Sequence, residues 1–265
     1  MNRNLRLGLR IKSACASKTP ASWLIASCLA TQAILAGCAA APPRAADASR
    51  PDYAAILASP LRTDQDRVAD ERRRPVDLLL FARVQPGMNV MDVSAGDGYT
   101  TQLLAVAVGP TGTVWAQTAK VRPGLEKRLA DHPQPNIHLL VRGIDDPYPA
   151  DAPRLDLITF VLNYHDIAYG PVDRDLMNRR LFEALKPGGH LVLIDHAAKR
   201  GSGLRDTKTL HRIEEAVVLD EIQRAGFVLE QEATFLRNPD DPHEQAFFDM
   251  KTPTDRFALL FVRPG

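Results

Sequence analysis

The segment with the clearest capacity for chemistry is Val90-Met91-Asp92-Val93-Ser94-Ala95-Gly96-Asp97-Gly98-Tyr99. Apolar residues over 88–93 predict a short strand, and the pattern over 99–108 predicts a helix. Small residues between a strand and a helix let the backbone pass close to a ligand, and the helix N–H groups point at it. Ser94, Gly96 and Gly98 are those positions, with Asp97 among them. A glycine-rich turn is also an ordinary way to join a strand to a helix, so the surrounding order of elements must decide. A second polar group, Asn163-Tyr164-His165-Asp166, closes a strongly apolar run over 155–162. Asp195-His196 closes another over 191–195, and His211 follows. Histidine titrates near neutral pH and serves as a general base. His165, Asp166, Asp195, His196 and His211 are also of the types that bind zinc or iron. They come from separate segments with no diagnostic spacing, so the sequence predicts no metal.

The elements that must position these residues alternate. Strand signals lie at 88–93, 113–117, 137–141, 155–162, 191–195, 227–235 and 257–262. Helix signals lie between them, at 99–108, 122–130, 173–185 and 214–225. An earlier helix opens at Pro75 ahead of Val76, Leu78, Leu79 and Phe81. Repeated β-α-β units predict an α/β, Rossmann-like, doubly wound and mostly parallel sheet of about seven strands. No helix separates the last two strands, which predicts an antiparallel C-terminal edge.

In that order, Val90 to Tyr99 resembles motif I of the class I S-adenosylmethionine-dependent methyltransferases. Leu185-Lys186-Pro187-Gly188-Gly189-His190-Leu191 resembles that superfamily's turn into its fifth strand. The resemblance runs from about Pro75 to the C-terminus. Pro86 to Val90, Gly96 to Ala105, Asn163 to Asp166, His211 to Ile213 and Ala225 to Phe227 look like a family of predicted exported methyltransferases. The resemblance implies S-adenosylmethionine as cofactor, held by Asp92, Ser94, Gly96, Asp97 and Gly98. It puts Gln117 at the ribose hydroxyls, where the superfamily usually has an acidic residue, and Asp145 or Asp146 at the adenine amino group. Ser94 also departs from the pattern, standing where the first glycine is expected. Asn163, Tyr164, His165 and Asp166 fall at the substrate side, with His165 as base and Asp166 orienting it.

Residues 1–37 carry Arg3, Arg6, Arg10, Lys12 and Lys18, no acidic residue, and an apolar run from about Trp23. This is the form of a secretory signal peptide. Leu35-Ala36-Gly37-Cys38 looks like a lipobox, which implies lipidation at Cys38; a plain signal cut nearby is the alternative. Residues 38–50, rich in Ala, Pro and Ser, read as a tether, and 51–265 as one methyltransferase-like domain. The three cysteines are Cys15, Cys28 and Cys38, so that domain has no thiol chemistry. Without the basic leader, a balance of 33 basic to 32 acidic residues turns mildly acidic. Arg72-Arg73-Arg74 reads as a solvated helix face, and nothing marks a nucleic-acid surface. The resulting expectation is an envelope lipoprotein, periplasm-facing on the outer membrane, that methylates a small molecule. The alternative is a non-catalytic binding or scaffolding lipoprotein on a degenerate methyltransferase fold.

Overall fold

In the computed structural model the structure describes residues 51–265; the leader, Cys38 and the tether lie outside the described residues. Three helices come first, α1 (Tyr53–Ala58), α2 (Asp64–Arg73) and α3 (Pro75–Phe81). Then follow β1 (Asn89–Val93), α4 (Tyr99–Val108), β2 (Thr113–Thr118), α5 (Pro123–Asp131), β3 (Ile137–Val141) and β4 (Leu155–Val161). The second half holds α6 (Tyr164–Ala168), α7 (Arg174–Ala184), β5 (Leu185–His196), α8 (Glu215–Arg224), β6 (Val228–Ala233) and β7 (Arg256–Val262). None of these helices is long and apolar enough to cross a membrane.

The seven strands form one sheet in the order β3-β2-β1-β4-β5-β7-β6. Neighbours from β3 to β5 are parallel, and β7 runs antiparallel between β5 and β6. The expected sheet and its antiparallel edge are both present. Strand order reverses between β1 and β4, and ligands of doubly wound sheets bind at such a switch point, beyond the carboxyl ends of the strands.

Alternation along each strand feeds two cores. Met91, Val93, Ile158, Phe160, Leu191 and Leu193 meet α7 and α8 through Met177, Leu181, Val218 and Ile222. Val90, Val114, Leu157, Val192 and Ile194 meet α3 and α4 through Leu78, Leu79, Leu103 and Leu104. Sheets covered on both faces require such apolar strands. Asp92 is a buried polar exception on the α4 face, with Thr159 beside it.

Two boundaries differ from the sequence reading. β5 begins at Leu185 rather than 191, because Leu185 pairs with Leu155 before the Lys-Pro-Gly-Gly stretch bulges out. The segment after β4, to which the sequence reading assigns no element, coils at once into α6.

Candidate active site

The cleft starts at Asp92, the fourth residue of β1. It is buried, and its carboxylate accepts hydrogen bonds from Thr159 Oγ1 at 2.9 Å and Thr101 Oγ1 at 2.6 Å. Burial pushes its pKa up to about 6, against the lowering effect of those hydroxyls and of Arg73. Beyond it the loop turns sharply, with positive φ at Ser94 (53°), Gly96 (59°) and Gly98 (83°). Ser94 thus takes the left-handed conformation that favours glycine. Its backbone N–H donates to Gln117 Oε1 at 3.0 Å, and Ala95 N–H donates to Gln117 O at 2.9 Å. Ser94→Gly removes side-chain strain of about 1–2 kcal/mol but loosens the unfolded chain, so a net stabilisation of about 0.5 kcal/mol is expected in a thermal melt.

The bound state of Gln117 revises its expected role. It is fully buried, and Nε2 donates to Arg142 O at 2.9 Å. Both ends of its amide are engaged inside the protein, so it braces the glycine loop rather than offering itself to a ribose. Asp146 pairs with Arg142 and lies 3.8 Å from Arg180, while Asp145 is exposed and makes no hydrogen bond among the described residues.

α2 roofs the cleft. A capping box at Thr63 and Asp66 starts the helix. Asp66 then holds Arg128 of α5 through two bonds of 2.7 and 2.8 Å, and Asp70 accepts from Tyr99 Oη at 2.7 Å and pairs with Arg62. The last residue of α2, Arg73, turns inward over the Tyr99 ring, 4.8 Å from its centroid. This corrects the reading of Arg72-Arg73-Arg74 as a solvated face: Arg72 and Arg74 are exposed, Arg73 is not. No acceptor among the described residues lies within hydrogen-bond distance of its guanidinium. Burial pulls its pKa below the usual arginine value, yet it remains a cation near neutrality. Arg73, Asp92, Ser94 to Asp97, Arg122 and Asn163 share one cleft, with about 610 Å³ of empty space including its mouth. Arg73 and Arg122 carried no recognisable signal, because their place depends on helix packing.

At the ends of β4 and β5 the structure gathers the histidines. His165 is 1% exposed; its backbone N–H donates to Asp195 Oδ2 at 2.8 Å, and Nδ1 lies 2.6 Å from Asp195 Oδ1. The group orienting its ring through Nδ1 is therefore Asp195, not Asp166 as expected. Asp166 Oδ1 stands on the other side, 3.3 Å from His165 Nε2 and 2.8 Å from His211 Nδ1. Burial alone would lower the His165 pKa, but the Asp195 and Asp166 charges override it and lift it to about 9. An imidazole held protonated at neutral pH is a poor proton acceptor, which weakens the reading of His165 as a free base. His196 is different: burial, with Arg256 nearby, holds its pKa well below the ordinary value, and its ring stacks on Phe247 at 4.6 Å. Tyr164 leaves the expected set. It is fully buried, donating to Glu221 Oε2 at 2.7 Å and accepting from Asn178 Nδ2 at 2.8 Å, in the α7–α8 core. Asn163 joins the two regions: it lines the cleft, and Nδ2 lies 3.4 Å from Asp166 Oδ2.

Strand order, glycine loop and cleft together define the class I S-adenosylmethionine-dependent methyltransferase fold. Solved structures agree. A SAM-dependent methyltransferase from Aquifex aeolicus superposes with TM-score 0.52 at 18% identity, covering 75% of this chain and 96% of that one. The N-methyltransferase NodS from Bradyrhizobium japonicum gives 0.51 at 15% identity, covering 74% and 97%. In sequence, the ubiquinone/menaquinone biosynthesis C-methyltransferases UbiE of Burkholderia multivorans and Burkholderia vietnamiensis are 29% identical over 117 residues. That match covers 43% of this chain and 45% of each relative, so the chain spans about half the length of the curated relatives it matches. No protein-family model matches the chain.

Proposed function

We propose that the chain transfers a methyl group from S-adenosylmethionine to a small acceptor with an aromatic part. The observation that carries this reading is one cleft that pairs a cation without an ion-pair partner among the described residues, Arg73, with a buried carboxylate, Asp92. An amino-acid zwitterion needs both. Arg73 would hold the cofactor's carboxylate, and Asp92 with Asn163 its positively charged side. The Gly96 and Asp97 backbone N–H groups would line the rest, since those of Ser94, Ala95 and Gly98 are bonded within the protein, and Asp145, rather than the engaged Asp146, would meet the adenine amino group. The cofactor supplies a methyl group on a sulfonium that departs as a neutral thioether. The protein's main task is then to align acceptor and methyl.

The acceptor side favours an aromatic compound. Tyr169, Phe247 and Phe248 are exposed and surround His211, with ring centroids 5.5–6.1 Å away. The relatives' name, ubiquinone/menaquinone biosynthesis C-methyltransferase, accords with a quinone-type acceptor on such a ledge.

Asp92 gives the test. Its pKa, raised from 3.8 to about 6, means that the unfolded chain ionises first. The stabilising effect of its neutral form is complete below about pH 4 and is lost as pH rises towards 6. A cationic ligand favours the ionised form, so cofactor binding near pH 6 should release a proton and tighten as pH rises. Calorimetry in two buffers of different ionisation enthalpy reads that proton; Asp92→Asn should remove it and weaken binding at pH 7.5. Absence of heat with millimolar S-adenosylmethionine or its demethylated product would overturn the reading. A ligand-binding protein without catalysis is favoured by one observation, the engaged amide of Gln117, and predicts binding without turnover.

Membership of an exported methyltransferase family and an outer-membrane, lipid-anchored location are part of this proposal; the leader's composition and the Leu35–Cys38 segment support them. Cells fed labelled palmitate should label the wild-type chain, and Cys38→Ala should lose the label.

A further inference from the structure

Two adjacent residues that follow β4 and a third 45 positions further on converge at the carboxyl ends of β4 and β5. One ligand atom each from His165, Asp166 and His211 falls within 4.8 Å of the others. We propose that these three residues bind a first-row divalent cation of the zinc or iron(II) type. Two imidazoles, one carboxylate and no thiolate are the donor set such ions take.

The second, independent observation is His165 Nε2. It is buried without a hydrogen-bond partner in a residue that is 1% exposed, and it points at the cluster. Buried polar atoms without partners are rare in folded proteins, and an absent ion is one of the accepted reasons. Asp166 Oδ1 at 3.3 Å is within ion-pair reach but does not make a well-formed hydrogen bond to it, and a bound ion would displace the proton that the two carboxylates favour on this ring, so uptake releases a proton. Bonds of about 2.0–2.1 Å to a tetrahedral ion put neighbouring ligand atoms about 3.3 Å apart. The His165–Asp166 separation already matches. His211 Nδ1, 2.8 Å from the same oxygen, needs to open by roughly half an ångström.

The surroundings are those of a metal site. Metal-binding histidines usually give their other nitrogen to a carboxylate, which fixes the ring. Asp195 does so here at Nδ1, and it is itself fully buried and held by the His165 and His196 backbone N–H groups. His211 has φ 51°, a strained backbone for a histidine, so the fold holds it in place at a cost. Three protein ligands leave a position open for a further oxygen. That this oxygen belongs to the methyl acceptor rests on the methyl-transfer reading; binding of the ion does not.

The test uses the full-length chain without a polyhistidine tag, stripped by chelator and titrated with Zn²⁺ by calorimetry. Co²⁺ uptake is followed in parallel by its visible absorption. One ion per chain at submicromolar Kd is expected, with cobalt bands of four- or five-coordinate intensity. His211→Asn, chosen because asparagine tolerates a positive φ, should weaken uptake at least about 30-fold, and so should Asp166→Asn. Both variants are checked by thermal melting, and His138→Ala, an exposed histidine on β3, should bind as the wild type does. Failure of the wild type to take up either ion, or uptake unchanged in both variants, overturns the site. A stoichiometric ion with no S-adenosylmethionine binding would leave the site standing and sink the methyl-transfer reading.

Discussion

Replacing Arg73 by alanine is expected to weaken binding of S-adenosylmethionine and of its demethylated product by at least about 30-fold, with the fold intact. Truncating one partner of a buried charge-assisted contact costs about 2 kcal/mol or more. Among the described residues Arg73 makes no ion pair whose loss would unfold the domain; it lies over the Tyr99 ring. Arg73→Lys keeps the charge but not the planar fork, so it should recover part of the affinity. Adenosine, which has no carboxylate, should bind the wild type and the alanine variant alike. Calorimetry with the three ligands reads the result, and equal losses for all three would show that the variant damages the cleft itself.

The second large effect is on stability. Arg212 is fully buried and paired with Asp241 through bonds of 2.8 and 3.2 Å, and it also donates to Ala197 O and Gln245 O. Asp241 further accepts from the Asp255 and His243 backbone N–H groups. Removing one partner of a buried pair leaves an uncompensated charge and costs about 3–5 kcal/mol. Arg212→Ala should therefore lower Tm by roughly 10 °C in a scanning calorimeter. The bonds to Asp241 outweigh its burial and hold its pKa below the usual value. Its contribution is thus present above about pH 4 and is lost as pH falls further, and in Arg212→Ala this acid sensitivity should diminish. Because Arg212 anchors the segment that carries Phe247 and Phe248, acceptor recognition should suffer before cofactor binding does.

Much of this architecture is legible in the chain. The apolar runs at β1, β4 and β5 and the glycine-rich turn between Asp92 and Tyr99 name the sheet, the switch point and the loop. The apolar run at 257–262 together with the missing helix before it gives the reversed β7. The cleft was harder to read. Gln117 has the right place on β2, but its direction depends on Ser94 and Arg142, which no local pattern reports. Tyr164 follows Asn163 directly, yet the short turn of α6 sends the two to opposite sides. Arg73 lies between two exposed arginines, and its inward course follows from the end of α2 and the left-handed Arg74 that stops it. His211 reaches Asp166 across 45 positions of chain, and no sequence spacing encodes such a meeting.

The clasp between α2 and α5 bears on tolerance of salt. Asp66 is buried and Arg128 partly so, and their attraction is therefore weakened less by dissolved salt than that of an exposed pair. Arg73, the last residue of α2, lines the cleft, so its cation is held in place by a contact made outside the cleft. That placement should persist as ionic strength rises, where a clasp on the open surface would loosen.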